Sequence, residues 1–353
     1  MDIIPRSERL FKHIIYGIRD FDLEETFLCG QCFRWVLEDD GSYSCILSGG
    51  FANVRLVDEW DAELSLEELN AKYNLEIVVG GKDAGSDENA ANVAAIAVST
   101  EDSTPIIDIT PRIVNPKALI IWSNLFSSAS SLVDDFWRDY FDLNRDYGAI
   151  KDDLIAESAF METAIKSGSG IRILNQDKWE TLISFIISQN NNIPRIKSCI
   201  ENLCREFGEY LGKFNGRELY AFPGWDVLSE IDEDDLKPIK LGYRAKYIIE
   251  TAKRIAYDNG TTLSAGDKMN TADIEQYLRS LPGVGPKVAH CIMLFSMRQT
   301  HIFPIDVWMR RAMNQAFDID EDDVLAMHRY AKEHFGANGG IAQQYLFFHF
   351  REL

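Results

Sequence analysis

This sequence lacks the long apolar runs that mark membrane and secreted proteins. No apolar run approaches the roughly 18–20 residues needed to span a bilayer. Residues 1–10 alternate charged and apolar side chains and show no signal-peptide pattern. We therefore expect an intracellular protein without a membrane partner.

Cysteine is also sparse. The six cysteines of the 353-residue chain are scattered, at positions 29, 32, 45, 199, 204 and 291, and need not be bridged in a reducing compartment. Cys29 and Cys32 have the spacing of redox and zinc motifs, but no second pair or nearby histidine completes a site. We expect neither a metal ion nor a cofactor.

Positive charge is scarce overall, since 36 Lys and Arg face 56 Asp and Glu for a net charge of −20. The deficit is uneven. Residues 1–170 hold 31 acidic and 14 basic side chains, whereas residues 236–315 hold 12 basic and 6 acidic ones. A local basic surface can bind phosphates while the rest of the molecule repels them. The charge pattern alone fits a solvated helical surface equally well.

The remaining sequence divides into a strand-rich part followed by a helical part. Residues 20–77 contain aromatic and β-branched runs, Phe27–Val36 and Tyr43–Leu47, which predict short strands. Residues 79–105 are rich in Gly, Ala, Ser and Asp and predict a flexible insertion, and residues 106–122 could supply another strand. We predict an α+β chain with an antiparallel β-rich domain over residues 1–131 and an α-helical domain over residues 132–353.

Caps and apolar periodicity predict the helices of the second part. The expected ranges are Trp179–Gln189, Ile193–Phe207 with Asn192 as its cap and Gly208 at its end, Arg244–Tyr257, Thr271–Ser280, Pro286–Met297, Asp306–Phe317, Glu321–His334 and Gly340–Phe350.

The most informative stretch is Leu281-Pro-Gly-Val-Gly-Pro-Lys287. Gly283 and Gly285 bracket one apolar residue, which predicts a tight hairpin whose backbone amides can approach a phosphate closely. Pro286 favours the first position of a helix, so Lys287 lies in its first turn. A cation is disfavoured there by the helix dipole. The same field, with some burial, favours the neutral amine that a nucleophilic lysine needs.

Asp306 follows a proline and precedes an amphipathic run, so it is expected to cap the next helix. Its carboxylate could stabilise an oxocarbenium-like sugar cation and orient the amine. Lys287 alone would ordinarily be an exposed phosphate-binding lysine, and hairpins of this type also occur in plain binding modules. The two residues together favour covalent chemistry at a sugar carbon of DNA.

Four further strings occur in order along the chain: Gly30-Gln-Cys-Phe-Arg-Trp35, Ser188-Gln-Asn-Asn-Asn-Ile193, Leu241-Gly-Tyr-Arg-Ala245 and Ala342-Gln-Gln-Tyr-Leu-Phe347. With the hairpin, Lys287 and Asp306, they resemble the helix–hairpin–helix, Gly/Pro-Asp superfamily of base-excision glycosylases. Within it, the chain is most similar to the eukaryotic-type 8-oxoguanine DNA glycosylase/AP lyase family. The similarity extends from about residue 21 to 350 and is interrupted near residues 79–105.

The resemblance implies catalytic and lesion-reading residues. Lys287 corresponds to the Schiff-base nucleophile and Asp306 to the catalytic aspartate. Cys291, four residues after Lys287 and on the same helix face, would pack on one face of the extruded base. Taken alone, Cys291 would be an ordinary small core residue.

Three more positions would complete the lesion pocket. Phe347 would stack on the other face of the base, and Gln343, one helical turn before it, would hydrogen-bond the Watson–Crick edge. Gly30 is the position whose carbonyl would accept the N7–H that 8-oxoguanine has and guanine lacks. Each has an ordinary alternative: Phe347 as core, Gln343 as a solvated side chain and Gly30 as a turn glycine.

A second group would serve the opposite strand, since extruding a base leaves its partner unpaired. The resemblance assigns Asn190, Arg195 and Arg244 to the estranged cytosine and Tyr243 to the wedge that bends the duplex. The ordinary interpretation of these residues is helix capping and surface chemistry, and Asn192 fits a cap better than Asn190 does. The chain departs from the family at Trp308, where the animal enzymes carry a histidine that contacts a phosphate.

We therefore predict a monomeric, bifunctional glycosylase/AP lyase that excises 8-oxoguanine opposite cytosine from double-stranded DNA. The lyase would form a Schiff base at Lys287 and nick the strand by β-elimination. One alternative is a related glycosylase for another damaged base; a four-cysteine iron–sulfur cluster near the C-terminus is not expected, since no cysteine follows Cys291. The other is a non-catalytic module that clamps the DNA backbone.

Overall fold

A computed structural model describes residues 10–64, 68, 116–126 and 131–352 of the chain. Five strands in the first part form one antiparallel sheet in the order β1-β5-β4-β3-β2. They are β1 (Phe11–Ile18), β2 (Val36–Leu37), β3 (Tyr43–Leu47), β4 (Gly50–Asp58) and β5 (Lys117–Ser123). The expected antiparallel N-terminal sheet is confirmed.

The described residues from 131 onward are mostly helical, which confirms the expected α+β class. The helix α1 (Leu23–Leu28) lies before them. The later helices are α2 (Ser131–Tyr140), α3 (Tyr147–Glu157), α4 (Ala159–Ser167), α5 (Lys178–Ser188), α6 (Ile193–Phe207), α7 (Trp225–Ser229), α8 (Arg244–Tyr257), α9 (Thr261–Ser264), α10 (Thr271–Ser280), α11 (Pro286–Ser296), α12 (Val307–Phe317), α13 (Val324–His334) and α14 (Gly339–Glu352).

The predicted caps account for most of these boundaries. Asn192 caps α6, where its side chain accepts a hydrogen bond from Arg195 N, and Gly208 ends the helix. Asp306 caps α12 by accepting from Met309 N. The predicted start of α13 at Glu321 is wrong by one turn, because Asp323 supplies the cap through Ala326 N.

The strand predicted over Phe27–Val36 is wrong. Asp22 Oδ1 accepts from Glu25 N at 2.9 Å and caps α1, which continues to Leu28. The chain then runs as a loop to the two-residue strand β2. The aromatic side chains of this loop are buried against the rest of the protein, so tertiary packing explains the pattern that resembled a strand.

Two other expectations have mixed outcomes. The strand expected within residues 106–122 is confirmed as β5, but residues 106–115 and the whole predicted insertion near 79–105 lie outside the described residues. A hairpin that was not predicted from the sequence, β6 (Tyr210–Phe214) with β7 (Arg217–Tyr220), follows α6.

A buried arginine joins the N-terminal strand segment to the helical body. The guanidinium of Arg172 donates to the carbonyls of Arg19 at 2.8 Å, Asp20 at 3.0 Å and Asp142 at 2.6 Å. Its Cζ also lies 4.4 Å from the centre of the Tyr147 ring. Since a buried charge is costly unless its donors are satisfied, this set of contacts fixes the end of β1 against α3.

Candidate active site

The hairpin that follows α10 is held tightly on its inner side and open on its outer side. Val284 N donates to Leu281 O at 3.1 Å, which closes the turn. Gly283 has φ +76, and a Cβ there would lie 2.7 Å from Cδ2 of Tyr247 on α8. Gly285 is exposed, with φ −86, and apart from its two chain neighbours no residue has an atom within 4 Å of an added Cβ. A ligand can therefore approach the backbone at Gly285 without obstruction.

Two side chains from other elements fix this hairpin by hydrogen bonds to its carbonyls. Thr251 Oγ1 on α8 donates to Pro282 O at 3.0 Å, and Gln189 Nε2 at the end of α5 donates to Gly283 O at 2.9 Å. The carbonyls are thereby satisfied from inside the protein. Neither residue was predicted from the sequence to have this role.

Lys287 and Cys291 lie one turn apart on α11, and Asp306, the cap of α12, lies close enough to affect the Cys291 thiol. Lys287 is half-buried in the first turn, and its ammonium acts on the buried Cys291 thiol one turn later. Burial raises the pKa of Cys291; the ammonium of Lys287 opposes this shift, and the carboxylate of Asp306 adds to it. Asp306 is half-buried and its Oδ1 accepts from Met309 N at 2.8 Å, so the carboxylate is oriented by the helix it caps.

An aromatic stack supports the amine of Lys287. Nζ lies 5.2 Å from the centre of the buried Phe185 ring on α5. Phe185 is itself packed edge-to-face against Phe33, 5.7 Å away, and stacked on Phe295, 5.5 Å away. Such a ring face attracts a cation and restricts where the amine can lie. Phe185 was only part of an apolar helix in the sequence, which carried no signal for this contact.

Phe33 belongs to the loop that carries Gly30, so the stack connects that loop to the lysine. Gly30 has φ +84, and a Cβ there would lie 3.2 Å from Cε1 of Phe347 on α14. The structure therefore brings Gly30 and Phe347 together, as expected. Gly30 is required on two grounds, since its backbone is left-handed and the Phe347 ring occupies the adjacent space.

The Gly30 loop is held by Gln31, which drew notice in the sequence only as part of a matching string. Its buried Nε2 donates to Thr26 O at 2.9 Å and Arg172 O at 2.7 Å, and its Oε1 accepts from Leu174 N at 2.8 Å. These bonds tie the loop to both α1 and the segment before α5. The Gly30 carbonyl therefore belongs to a rigid loop.

Gln343 lies one turn before Phe347 on α14 and is 4% exposed. Its Oε1 accepts a hydrogen bond from Nε2 of the neighbouring Gln344 at 2.7 Å. A buried glutamine held in this way is not the solvated side chain that its sequence context would ordinarily suggest.

A second cluster lies at the C-terminal end of α5, beside the hairpin. The guanidinium of Arg244 is buried and donates to Gln189 O at 2.9 Å, Asn190 O at 3.0 Å and Leu241 O at 3.1 Å. Its Cζ also lies 4.6 Å from the ring centre of Tyr243, which is 54% exposed. In this structure Arg244 therefore holds the loop after α5 and supports the exposed tyrosine.

Asn190 and Arg195 are both exposed near this cluster. Asn190 has φ +46, a left-handed conformation that asparagine tolerates better than most residues. Arg195 Nη2 donates to Lys240 O at 3.2 Å, next to the segment that carries Tyr243. The residues predicted to meet the opposite strand are thus brought to one surface.

Trp308, in the first turn of α12, is 46% exposed. Arg311 is also exposed, and its Cζ lies 5.5 Å from the ring centre of Trp308. The indole has no charge, but this neighbouring guanidinium supplies one. Arg311 was missed at the level of sequence, although a spacing of three residues on a helix predicts its contact with Trp308.

Within the described ranges, no three His, Cys, Asp or Glu side chains are placed to hold a metal ion. Cys29 and Cys32 are buried free thiols that donate to Thr26 O at 3.2 Å and Phe27 O at 3.6 Å. None of the described helices is long and apolar enough to cross a membrane.

Two protein-family models together match residues 13–336 of this chain. Residues 13–182 match the family described as the 8-oxoguanine DNA glycosylase N-terminal domain. Residues 183–336 match the HhH-GPD superfamily of base excision DNA repair proteins.

The chain is also similar to individual proteins named as N-glycosylase/DNA lyases. The N-glycosylase/DNA lyase of Saccharomyces cerevisiae is 39% identical over 163 residues, and this chain spans 43% of its length. The alignment also covers 43% of this chain. A probable N-glycosylase/DNA lyase of Methanothermobacter thermautotrophicus is 30% identical over 267 residues, or 70% of this chain and 78% of that protein.

A solved structure is similar over its full length. It is the Clostridium acetobutylicum 8-oxoguanine glycosylase/lyase in complex with dsDNA containing cytosine opposite to 8-oxoG. Its TM-score is 0.74 at 31% identity, and the match covers 99% of this chain and 98% of that one.

Proposed function

This chain belongs to the 8-oxoguanine DNA glycosylase family of HhH-GPD base-excision repair proteins, and from that premise we propose that it excises 8-oxoguanine paired with cytosine and then nicks the strand. The observation that carries this proposal is the group formed by Lys287, Cys291 and Asp306. It places an amine and a thiol in the first turns of α11, beside an open hairpin, and brings the carboxylate that caps α12 close enough to affect the thiol.

The proposed reaction is covalent. The lone pair of the Lys287 amine attacks C1′ of the damaged nucleotide, and the bond from C1′ to the base breaks. The base leaves with the bonding electrons and takes up the proton that the attacking nitrogen loses. Ring opening gives a Schiff base between the amine and C1′. Loss of a proton from C2′ then breaks the bond from C3′ to its phosphate oxygen and nicks the strand. Asp306, held by Met309 N, stabilises the positive charge that develops on the sugar.

The lesion pocket is proposed to lie between the Gly30 loop and α14. Phe347 and Cys291 would cover the two faces of the extruded base, and Gln343 would bind its Watson–Crick edge. The carbonyl of Gly30 would accept the N7–H of the oxidised purine. Two observations support this assignment: Gly30 lies against Phe347, and Gln31 holds the loop by hydrogen bonds. A carbonyl that distinguishes two bases by a single N–H group must be fixed in position.

The opposite strand is proposed to meet the surface formed by Asn190, Arg195 and Tyr243. Tyr243 would act as the wedge, since it is exposed and supported from below by Arg244. Arg244 would contribute chiefly by shaping the Asn190 loop through its three carbonyl contacts. The backbone amides near Gly283 and Gly285 would bind a phosphate of the lesion strand.

The proposal includes the cellular setting. The partner is duplex DNA containing an oxidised purine, bound by a monomer wherever genomic DNA is stored in the cell. The division into residues 1–131 and 132–353 is part of the same proposal. Its support is that the sheet and the helical body around α5 and α11 bury separate clusters of side chains; α2, which this division assigns to the second part, packs with the sheet.

Borohydride trapping tests this function directly. The full chain is mixed with duplexes that carry 8-oxoguanine opposite cytosine or adenine and reduced with sodium borohydride. We expect a covalent adduct, formed faster opposite cytosine, and nicked product in unreduced samples. Lys287→Gln should form no adduct; an adduct that persists in this variant excludes Lys287 as the nucleophile.

A panel of damaged duplexes separates the alternatives. Excision of 3-methyladenine or thymine glycol with none of 8-oxoguanine would assign another substrate. Salt-sensitive binding to undamaged DNA without any product would identify a binding module instead.

A further inference from the structure

The outward side of α12 carries an arginine that the proposed function leaves without a role. The exposed side chains of this helix are Val307, Trp308, Arg311 and Gln315. None of the residues from Val307 to Phe317 is acidic, although the whole chain has a net charge of −20. The side chains that α12 exposes therefore carry a net positive charge in a protein that is negative overall.

The two adjacent arginines of α12 differ in how their charges are used. Arg310 Nη1 donates to Glu321 O at 3.4 Å and lies 3.6 Å from Oδ1 of Asp322. Arg311 makes no hydrogen bond or ion pair with any residue that the structure describes, and its contact is with the ring of Trp308. The charge of Arg310 is thus offset within the protein, whereas the charge of Arg311 is left for an external anion.

Trp308 restrains Arg311 without occupying its donors. Cζ of Arg311 lies 5.5 Å from the centre of the indole ring, within the range of a cation–π contact. Such a contact uses the charge of the guanidinium and leaves its N–H groups free to donate. A planar guanidinium whose position is already restricted binds a phosphate through two hydrogen bonds at a lower cost in side-chain entropy.

The position of Arg311 along α12 relates it to the proposed chemistry. Asp306, proposed to act on the sugar of the damaged nucleotide, caps α12, and Arg311 follows it by five positions. At about 1.5 Å per residue, this separation is about 7.5 Å along the helix axis. One strand of duplex DNA carries a phosphate about every 3.4 Å of its axis. A phosphate of the lesion strand within a few nucleotides of the damaged one is therefore within reach of an exposed side chain at position 311.

We propose that Arg311, held over the ring of Trp308, binds a backbone phosphate of the lesion strand close to the damaged nucleotide. This inference rests on the proposed function, which places the damaged sugar beside Asp306. Arg311 supplies the charge and the donors, and Trp308 is a positioning residue that acts through Arg311. Because a phosphate carries no sequence information, this contact strengthens DNA binding without selecting the base.

The salt dependence of DNA binding tests the contact, with Arg310→Gln as the matched control. Fluorescence anisotropy measures the affinity of the full-length protein for a duplex that carries an abasic-site analogue opposite cytosine, at a series of salt concentrations. Loss of one phosphate contact should lower the slope of log affinity against log salt by about 0.9 in Arg311→Gln. Between about 50 and 200 mM salt, the wild type should therefore lose about 3.5-fold more affinity than this variant. Arg310→Gln removes the same charge from the same helix and should keep the wild-type slope.

A scan with neutral phosphates identifies the strand and the position. Each phosphate of the lesion strand near the abasic-site analogue is replaced in turn by an uncharged methylphosphonate, and the opposite strand is scanned in the same way. One replacement in the lesion strand should weaken binding by the wild type and by Arg310→Gln but have no effect on Arg311→Gln. A selective effect confined to the opposite strand would contradict the assignment to the lesion strand.

Substitutions of Trp308 test its role as a support. Trp308→Ala should weaken binding and lower the salt slope in the same direction as Arg311→Gln, whereas Trp308→Phe, which keeps an aromatic ring, should retain most of the slope. Trp308→Ala combined with Arg311→Gln should bind no more weakly than Arg311→Gln alone. An additive loss in the double variant would show that the indole meets DNA independently and would overturn this part of the inference.

Equal salt slopes in Arg311→Gln and Arg310→Gln overturn the inference, and so does a phosphate scan that affects Arg311→Gln and the wild type alike at every position. Thermal unfolding of each variant shows that it is folded. Failure of the proposed function looks different, because the wild type would then form no borohydride adduct with 8-oxoguanine, whichever residue occupies position 311.

Discussion

The two hairpin glycines provide a sharp test of how the hairpin is built, because the structure gives them opposite surroundings. At Gly283 the backbone is left-handed at φ +76, which costs an L-residue about 1–2 kcal/mol. An added Cβ would also lie 2.7 Å from Cδ2 of Tyr247 and 2.8 Å from its Cβ. Overpacking of this kind costs about 1–3 kcal/mol. We expect Gly283→Ala to lose about 2–5 kcal/mol of unfolding free energy.

Gly285→Ala is the matched control within the same hairpin. Its φ of −86 suits any residue, and an added Cβ meets nothing within 4 Å. Alanine is a poorer N-cap than glycine but restricts the unfolded chain, and these terms of about 0.5–1 kcal/mol oppose each other. We expect the unfolding free energy of Gly285→Ala to stay close to that of the wild type. The new methyl group would nevertheless stand where a phosphate is proposed to approach.

Urea unfolding and DNA binding separate the two effects. Unfolding followed by tryptophan fluorescence measures stability, and fluorescence anisotropy with a duplex carrying an abasic-site analogue measures affinity at one fixed salt concentration. Gly285→Ala should bind more weakly than the wild type at equal stability. A Gly283→Ala protein within about 0.5 kcal/mol of the wild type, the level of a neutral surface change, would refute the strain argument. Wild-type affinity in Gly285→Ala would refute the close phosphate approach.

Three further predictions concern the groups around the amine. Asp306→Asn should keep the α12 cap to Met309 N, and with it the stability of the protein, but should lose excision activity. Asp306→Ala should lose excision activity and also about 1 kcal/mol of unfolding free energy, because the cap is removed. Equal excision rates of Asp306→Asn and the wild type in single-turnover assays would contradict a role for the charge. Phe185→Leu should slow borohydride trapping about tenfold, because the amine loses the ring face that restricts its position, with the KM for duplex unchanged. A raised KM with an unchanged trapping rate would instead place Phe185 in DNA binding. Burial raises the pKa of Cys29 to about 11 and also raises the pKa of Cys291. The thiol reagent 5,5′-dithiobis(2-nitrobenzoic acid) should therefore label neither cysteine rapidly in the native protein at pH 8, and it should label all six thiols after unfolding. A rapid phase of labelling in the native protein would contradict their burial.

Local signals predicted much of the helical part. Asn192 with Gly208, and Asp306 before its amphipathic run, mark helix ends through bonds between residues three or four apart, which can be inferred from neighbouring letters alone. The missed β6–β7 hairpin also had a local signal. Asn215 and Gly216 join its strands with φ +48 and +76, the left-handed pair that a two-residue hairpin requires.

The strand predicted at Phe27–Val36 failed for a different reason. Its aromatic residues are buried by tertiary packing: Phe27 stacks on Trp35, and Phe33 packs on Phe185 far along the chain. The hydrophobic periodicity and composition of a segment show how apolar it is, but they do not show which other elements of the fold bury it. Asp22, followed within three residues by two glutamates, was a local helix-start signal at the N-terminal side of this segment.

The candidate site likewise contains residues that could be predicted from the local sequence and residues that could not. Lys287 and Asp306 could be inferred because each lies at a helix start, where the chemistry of a position follows from its place in the helix. The parts that hold them could not, because they depend on contacts between residues far apart in the chain. A single helix, α5, places Phe185 beneath the amine, and just beyond its end Gln189 bonds to Gly283 O and to Arg244. In the sequence α5 is merely an apolar run.

Because of this arrangement, Lys287 and the proposed opposite-strand surface should respond together to substitutions in α5. The Phe185 ring and the Gln189 carbonyl are separated by one helical turn, so a shift of that turn moves the support of Lys287 and the anchor of Arg244 at once. The Gly30 loop is coupled to the same turn through Phe33. Three parts of the site that are distant in sequence thus share one rigid element, and packing on α5 sets their relative positions.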